Sequence, residues 1–211
     1  MIDNESQGFF VAVDGPNGAG KSTLIEKIKD KIQEKGYEVY ITREPTATEL
    51  GEFIRNYSEN KSGISLACLI AADRYVHMQE ELIPELKKGK LVITDRYILS
   101  SLILQGMDGV SDEFIISLHS NIVKPDLQLA VVANENILQS RLAERNILTR
   151  FEKGNQSATE LFYMDKGIKV LQGKNVDIMY VDNSSKLEDN VEKIISYILR
   201  SWEKNEKICI D

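Results

Sequence analysis

Residues 15–22 read Gly-Pro-Asn-Gly-Ala-Gly-Lys-Ser, which satisfies the pattern G-x-x-x-x-G-K-[ST]. A loop that wraps around phosphate groups needs several backbone N–H groups pointing inward, and glycines reach the required dihedral angles without a Cβ penalty. The apolar run at residues 9–14 precedes this loop and an amphipathic helical pattern follows it. Because a strand–loop–helix setting puts the positive end of a helix at the loop, the sequence predicts a nucleotide-phosphate site, a P-loop.

The residue types of the P-loop predict how it would hold ATP. Lys21 would bridge the β- and γ-phosphates, and the Ser22 hydroxyl would hold Mg²⁺. ATP and Mg²⁺ are therefore the expected cofactors. The residues expected to bind ATP are Gly15, Pro16, Asn17, Gly18, Ala19, Gly20, Lys21, Ser22 and Thr23.

The rest of the chain alternates between strand and helix patterns. Four more apolar runs have the profile of strands, at residues 38–42, 91–95, 127–132 and 177–181. A long helical pattern covers about residues 65–88. This alternation predicts an α/β P-loop kinase fold, with a five-stranded parallel sheet flanked by helices on both faces.

A single domain is expected over residues 1–211, with one polar interruption. The segment at about 146–157 contains Arg150 and Lys153 and lies between two helical patterns. In a phosphate-handling fold, such a segment is predicted to be a lid.

Charge and composition limit the partners. The sequence has 26 Lys and Arg against 33 Asp and Glu, a net charge of −7, so nucleic acid is not expected as a partner. No apolar run approaches the roughly 20 residues of a membrane helix. The two cysteines lack a CxxC spacing, which fits a reducing cytoplasm.

Other P-loop classes carry signatures that this sequence lacks. It has neither the N-K-x-D motif of GTPases nor the L-S-G-G-Q motif of transport ATPases. The chain is short for a motor, and its negative charge disfavours a helicase. A compact kinase with a small acceptor remains.

Charged residues at the ends of predicted strands indicate where the acceptor would bind. Arg43 and Arg96 lie just past two strand ends, where cations could hold an acceptor phosphate and screen its repulsion from ATP. Asp95 ends a strand and could bind Mg²⁺, and Asp14 immediately precedes the P-loop. We expect these residues to face one crevice at the carboxyl edge of the sheet.

Four motifs beyond the P-loop resemble those of the thymidylate kinase family in order and approximate spacing. They are Thr42-Arg43-Glu44-Pro45, Ala71-Ala72-Asp73-Arg74, Asp95-Arg96-Tyr97 and the RNILTRFE stretch at residues 145–152. The resemblance extends from about Phe9 to Trp202. It implies transfer of the γ-phosphate of ATP to dTMP to give dTDP, and a homodimer built on helices.

The resemblance also implies roles for individual residues. Arg43 and Arg96 would hold the acceptor phosphate, and Asp14 and Glu44 would lie near the acceptor sugar and metal. The residues implied to bind the acceptor are Asp14, Glu44, Ile70, Arg74, Arg96, Leu104 and Gln105.

The catalytic arginine is expected in the lid. One subgroup of the family carries this arginine in the P-loop and another in the lid, and the P-loop here has none. A closing arginine would stabilise the charge that spreads over the transferred phosphoryl group. The predicted catalytic residues are Lys21, Arg43, Asp95, Arg96, Arg145 and Arg150.

The predicted acceptor pocket departs from the family pattern at several positions. Ile70 stands where an aromatic residue commonly stacks on thymine, and Leu104 replaces a tyrosine near the sugar. Thr46-Ala47 replaces two glycines, Thr149 replaces the lid aspartate, and an expected arginine is missing around Asp108. A shift in base or sugar selectivity follows as an expectation.

Two alternatives to a dTMP kinase stay open. The first is a kinase of the same fold acting on another nucleotide, a nucleoside or an antibiotic. The second is a nucleotide-binding regulatory module that hardly turns over.

Overall fold

The computed structural model describes residues 1–144, 149–152, 156–184 and 187–208. Five strands form one parallel sheet in the order β2-β3-β1-β4-β5, as predicted. They are β1 (Phe9–Asp14), β2 (Val39–Arg43), β3 (Leu91–Asp95), β4 (Leu127–Val132) and β5 (Ile178–Asp182). The second and fifth strands are each shifted by one residue from the predicted ranges.

Helices connect the strands and cover both faces of the sheet. Within the described ranges they are α1 (Lys21–Glu34), α2 (Glu49–Ser58), α3 (Ile64–His77), α4 (Ile83–Lys87), α5 (Ile98–Met107), α6 (Asp112–Leu118), α7 (Glu135–Ala143), α8 (Ser157–Gln172) and α9 (Leu187–Ile208). None of the helices described is long and apolar enough to span a membrane.

The long helix predicted over residues 65–88 is present, but it is not uniformly α-helical. A π-helical turn at Met78–Leu82 separates α3 from α4, and Pro84 lies in the first turn of α4. Proline has no N–H and its ring clashes with the carbonyl four residues earlier. The wider turn before Pro84 lets the chain continue in the same direction without that clash.

Strands β1 and β4 are fully buried because apolar layers pack on both faces of the sheet. One layer contains the apolar residues of α1 and α9, and it includes Trp202, whose ring lies 5.3 Å from that of Tyr37. The opposite layer contains apolar residues of α3, α5 and α8. With both faces covered, the carboxyl edge of the sheet is the place left for a ligand crevice.

Candidate active site

Two glycines of the P-loop are required by close approaches to other parts of the fold. A Cβ on Gly15 would lie 1.9 Å from the carbonyl oxygen of Val131. Gly20 has φ 83°, a left-handed conformation, and its Cβ would lie 2.5 Å from Nδ2 of Asn183. Because no side chain fits at either position, the loop is held tightly between β4 and the end of β5.

Lys21 is buried at the bottom of the P-loop. Its Nζ donates hydrogen bonds of 3.0 Å to the carbonyls of Gly15 and Pro16, and the residue is 7% exposed. Burial, reinforced by the positive charge of Arg96, lowers the pKa of Lys21 to about 8. The ammonium group is therefore poorly solvated and available to a bound anion.

A cavity of about 290 Å³ opens above Lys21. Its polar walls include residues of the P-loop, of the first turn of α1 and of the end of β3. The lining residues are Asn17, Gly18, Gly20, Lys21, Ser22, Thr23, Asp95 and Arg96. We call this space the donor cavity.

Ser22 and Asp95 fit a divalent cation. The Ser22 hydroxyl lies 3.3 Å from Oδ2 of Asp95, and Oδ1 of Asp95 is buried with no hydrogen-bond partner among the described residues. An unpaired buried carboxylate oxygen beside a hydroxyl suits Mg²⁺, which prefers oxygen ligands. Among the described residues, no group of three or more acidic, His or Cys side chains is placed to hold a metal ion, so phosphate and water oxygens would complete the shell.

Arg96 is held in a strained backbone conformation with φ 76°. This costs about 1–2 kcal/mol for a residue other than glycine. The backbone is fixed by hydrogen bonds from its N–H to the Val13 carbonyl and from the Thr94 hydroxyl to its carbonyl. The guanidinium donates to Oδ1 of Asn17 at 2.7 Å and to the Ser100 hydroxyl at 3.3 Å. The strain thus serves to aim Arg96 at the P-loop.

A second cavity of about 440 Å³ adjoins the donor cavity and shares Asn17, Asp95 and Arg96 with it. We call it the acceptor cavity. Arg43, at the exposed end of β2, also lines it. Its other lining residues are Glu44, Pro45, Arg55, Ser58, Leu66, Ile70, Leu104, Gln105, Thr149, Phe151 and Glu152.

Glu44 lines the acceptor cavity, but the guanidinium of Arg74 makes its hydrogen bonds with other residues of the protein. Arg74 is 1% exposed, and its guanidinium donates to Glu44 at 2.7 Å, to the Ser101 hydroxyl at 3.1 Å and to the Tyr97 carbonyl at 2.9 Å. The second oxygen of Glu44 lies 3.0 Å from Nδ1 of His77. Arg74 and His77 therefore fix Glu44. This differs from the direct contact with the acceptor that the resemblance implied for Arg74.

Asp14 does not face the cavities, in contrast to the expectation from sequence. It is fully buried, and it accepts hydrogen bonds from the Tyr97 and Ser100 backbone N–H groups, from the Ser100 hydroxyl and from Gln128. Burial raises the pKa of Asp14. Because Tyr97 precedes α5 and Ser100 lies in its first turn, Asp14 anchors that helix against the sheet.

Of the two predicted lid arginines, Arg145 and Arg150, the structure describes Arg150 alone. Arg145 lies outside the described residues, as does half of the predicted lid segment. Arg150 is described, and its guanidinium donates to both carboxylate oxygens of Asp108 and to the Ser58 carbonyl rather than pointing at Lys21. Its placement therefore differs from that of a catalytic arginine.

Three residues near the P-loop were not among the predicted site residues. Arg141 donates to the Gly18 carbonyl at 3.1 Å, and Asn183 donates to the Ala19 carbonyl at 2.8 Å. Glu160 accepts from the backbone N–H of Asn17 at 2.8 Å and from its side-chain amide at 3.3 Å. Arg141 lies in the last turn of α7, where a cation interacts favourably with the helix dipole, whereas no motif pointed to Glu160.

The arrangement of two adjoining anion cavities on a strand–P-loop–helix unit defines a P-loop phosphotransferase. A family model for thymidylate kinase matches residues 13–194. The probable thymidylate kinase of Caldivirga maquilingensis is 34% identical over 193 residues, covering 90% of this chain and 92% of the relative. The thymidylate kinase of Caldicellulosiruptor saccharolyticus is 37% identical over 202 residues, covering 89% of this chain and 94% of the relative. The probable thymidylate kinase of Staphylothermus marinus is 32% identical over 200 residues, covering 91% of this chain and 96% of the relative.

The chain belongs to the thymidylate kinase family. It is therefore an ATP-dependent phosphotransferase of nucleotide biosynthesis. The resemblance of the sequence motifs to this family is confirmed over most of the chain.

The lowered pKa of Lys21 predicts a pH dependence of nucleotide binding. The ammonium is protonated below about pH 8 and loses its proton as the pH rises through that value. We expect the Kd of ADP, measured by titration calorimetry on the ligand-free protein, to rise above pH 8 by up to about tenfold per pH unit. The variant Lys21→Met should bind weakly with no such dependence, and a wild-type Kd that is flat up to pH 10 would contradict this assignment.

The contacts of Glu160 predict that it positions Arg96, a cation that lines the acceptor cavity, through Asn17. Glu160→Gln turns one acceptor of the Asn17 pair into a donor, which should loosen the hold of Asn17 on Arg96. We expect kcat/KM for the acceptor to fall about tenfold while the KM for ATP changes little. Asp165→Asn, an exposed change on the same helix, is the control, and equal kinetics in both variants would remove Glu160 from the site.

Proposed function

We propose that the protein transfers the γ-phosphate of ATP to dTMP, producing ADP and dTDP. The observation that carries the proposal is the common wall of the donor and acceptor cavities. Asn17, Asp95 and Arg96 line both spaces, so two phosphorylated ligands would meet there. Membership of the thymidylate kinase family supports dTMP as the acceptor.

The donor side would bind ATP through backbone N–H groups of the P-loop and through Lys21. The ammonium of Lys21 would exchange its carbonyl partners for oxygens of the β- and γ-phosphates, which are stronger acceptors. Mg²⁺ held by Ser22 and Asp95 would neutralise part of the phosphate charge. Arg141 and Asn183, which donate hydrogen bonds to the Gly18 and Ala19 carbonyls, would lie near the adenosine half.

The acceptor side would bind the monophosphate at its cationic end. Arg43 and Arg96 would hold the phosphate, while Gln105, which lines the same cavity, would meet the base. Glu44, fixed by its buried partners, would face the acceptor sugar.

The transfer itself needs positioning and charge rather than a covalent intermediate. An oxygen of the acceptor phosphate would form a bond to the γ-phosphorus while the bond to the β–γ bridging oxygen breaks, and ADP leaves. Lys21 and Arg96 would stabilise the charge on the transferred group. Arg145 is our proposed lid arginine for the same charge, by the family resemblance.

The proposal extends to the setting of the enzyme. The single-domain chain, residues 1–211, would act in the cytoplasm as a homodimer, as the family resemblance suggests. Its net charge of −7 supports small nucleotides rather than nucleic acid as partners.

One observation favours a different acceptor for the same chemistry. Ile70 and Leu104, which depart from the family pattern, both line the acceptor cavity. An acceptor with another base or with a ribose would meet these changed side chains directly.

An acceptor panel separates these possibilities. ADP formation is measured by a coupled assay with dTMP, dUMP, dGMP, dAMP, dCMP and their ribose forms, and kcat/KM values are compared. We expect dTMP to give the highest value and Lys21→Met to abolish turnover with every acceptor. Turnover with no monophosphate in the panel would contradict the kinase assignment, and a higher kcat/KM for another acceptor would favour the alternative.

A further inference from the structure

Phe151 lines the acceptor cavity together with Ile70. Among the described residues that line this cavity, Phe151 is the aromatic one. A nucleobase has a flat π-face that packs favourably on an aromatic ring. Ile70, by contrast, can offer the base only aliphatic surface.

The ring of Phe151 is backed by its neighbour Arg150. The guanidinium carbon of Arg150 lies 4.0 Å from the centroid of the Phe151 ring, a stacking distance. A ring fixed in this way loses little side-chain freedom when a ligand binds, so its contact with the ligand is less costly.

Arg150 is in turn fixed by a two-pronged ion pair. Its Nη1 and Nη2 donate to the two carboxylate oxygens of Asp108 at 2.7 and 2.9 Å, and its Nε donates to the Ser58 carbonyl at 2.8 Å. The side chains of Arg150 and Asp108 are 27% and 7% exposed. A bidentate pair at this degree of burial holds its geometry better than a surface ion pair.

These contacts join three separate elements around one cavity. Ser58 ends α2 and lines the cavity, and Asp108 directly follows α5, which contributes Leu104 and Gln105 to the lining. The segment 149–152 lies between them and has its own internal hydrogen bonds, from Thr149 to Glu152. Arg150 therefore fastens this segment to two walls of the acceptor cavity.

We propose that Phe151 is the aromatic wall against which the acceptor base packs, and that Arg150 and Asp108 are positioning residues that hold it there. This inference rests on the proposed function, since it concerns the acceptor nucleotide. It assigns Arg150 to acceptor binding and not to stabilisation of the transferred phosphoryl group.

Substitutions of Phe151 test the contact itself. Phe151→Leu should raise the KM for dTMP about tenfold, with kcat and the KM for ATP nearly unchanged, because stacking is lost and the phosphate cations remain. Phe151→Tyr keeps the ring and should restore the wild-type KM. A wild-type KM for Phe151→Leu, or a fall in kcat alone, would overturn the proposal.

A double-mutant cycle tests the role of the ion pair. Asp108→Asn, which keeps the shape of the side chain, should raise the KM for dTMP in the wild-type background but add little in the Phe151→Leu background. Asp112→Asn, which breaks the 2.8 Å pair between Asp112 and Lys166, is the matched control and should leave the KM unchanged. Additive effects of Asp108→Asn and Phe151→Leu would show that the pair does not act through Phe151.

Hydrogen exchange tests the positioning without any acceptor. In the ligand-free protein, Asp108→Asn should speed amide exchange in residues 149–152 severalfold and leave β1 unchanged. Equal exchange in the variant and the wild type would overturn the positioning role, even for a protein that phosphorylates a different acceptor. If the wild type phosphorylated no acceptor but exchange in residues 149–152 were faster in the variant, the proposed function would be contradicted and the positioning role of Asp108 would stand.

Discussion

The site depends on bringing two polyanions into contact in one small crevice. Their mutual repulsion has to be offset by fixed positive charge, and we propose that Lys21, Arg43 and Arg96, which line the two cavities, supply it. The arrangement is costly to the folded state. Lys21 is a buried cation with a lowered pKa, and Arg96 has a strained backbone. The folded state is therefore less stable at the residues that ligand binding requires.

Two buried carboxylates hold Arg96 in place, each through one intervening residue. Glu160 fixes Asn17, whose side-chain oxygen accepts from Arg96. Asp14 fixes Ser100, whose hydroxyl also accepts from Arg96. The guanidinium that would meet both ligands is thus fixed through two separate chains of hydrogen bonds, so little reorganisation is needed when a phosphate arrives.

Local patterns determined what could be predicted from the sequence. The strands, the P-loop and Arg96 at a strand end follow from short-range periodicity and motif spacing, and the structure has them where they were expected. The partners of Glu160 and Arg150 could not be predicted, because Asn17 is 143 residues from Glu160 and Asp108 is 42 residues from Arg150. In the sequence, Asp108 stands out only because an arginine of the family pattern is missing there. In the fold, Asp108 pairs with Arg150, which stacks on Phe151.

We propose that the donor and acceptor phosphates meet at the wall that Arg96 forms between the two cavities. The most direct measurement is competition binding of adenosine and thymidine joined through five phosphates, followed by titration calorimetry in the wild type and in Arg96→Met. We expect this one molecule to displace both ATP and dTMP and to bind more tightly than either, and we expect its affinity to fall markedly in the variant. Displacement of ATP with an unchanged affinity for dTMP would contradict it.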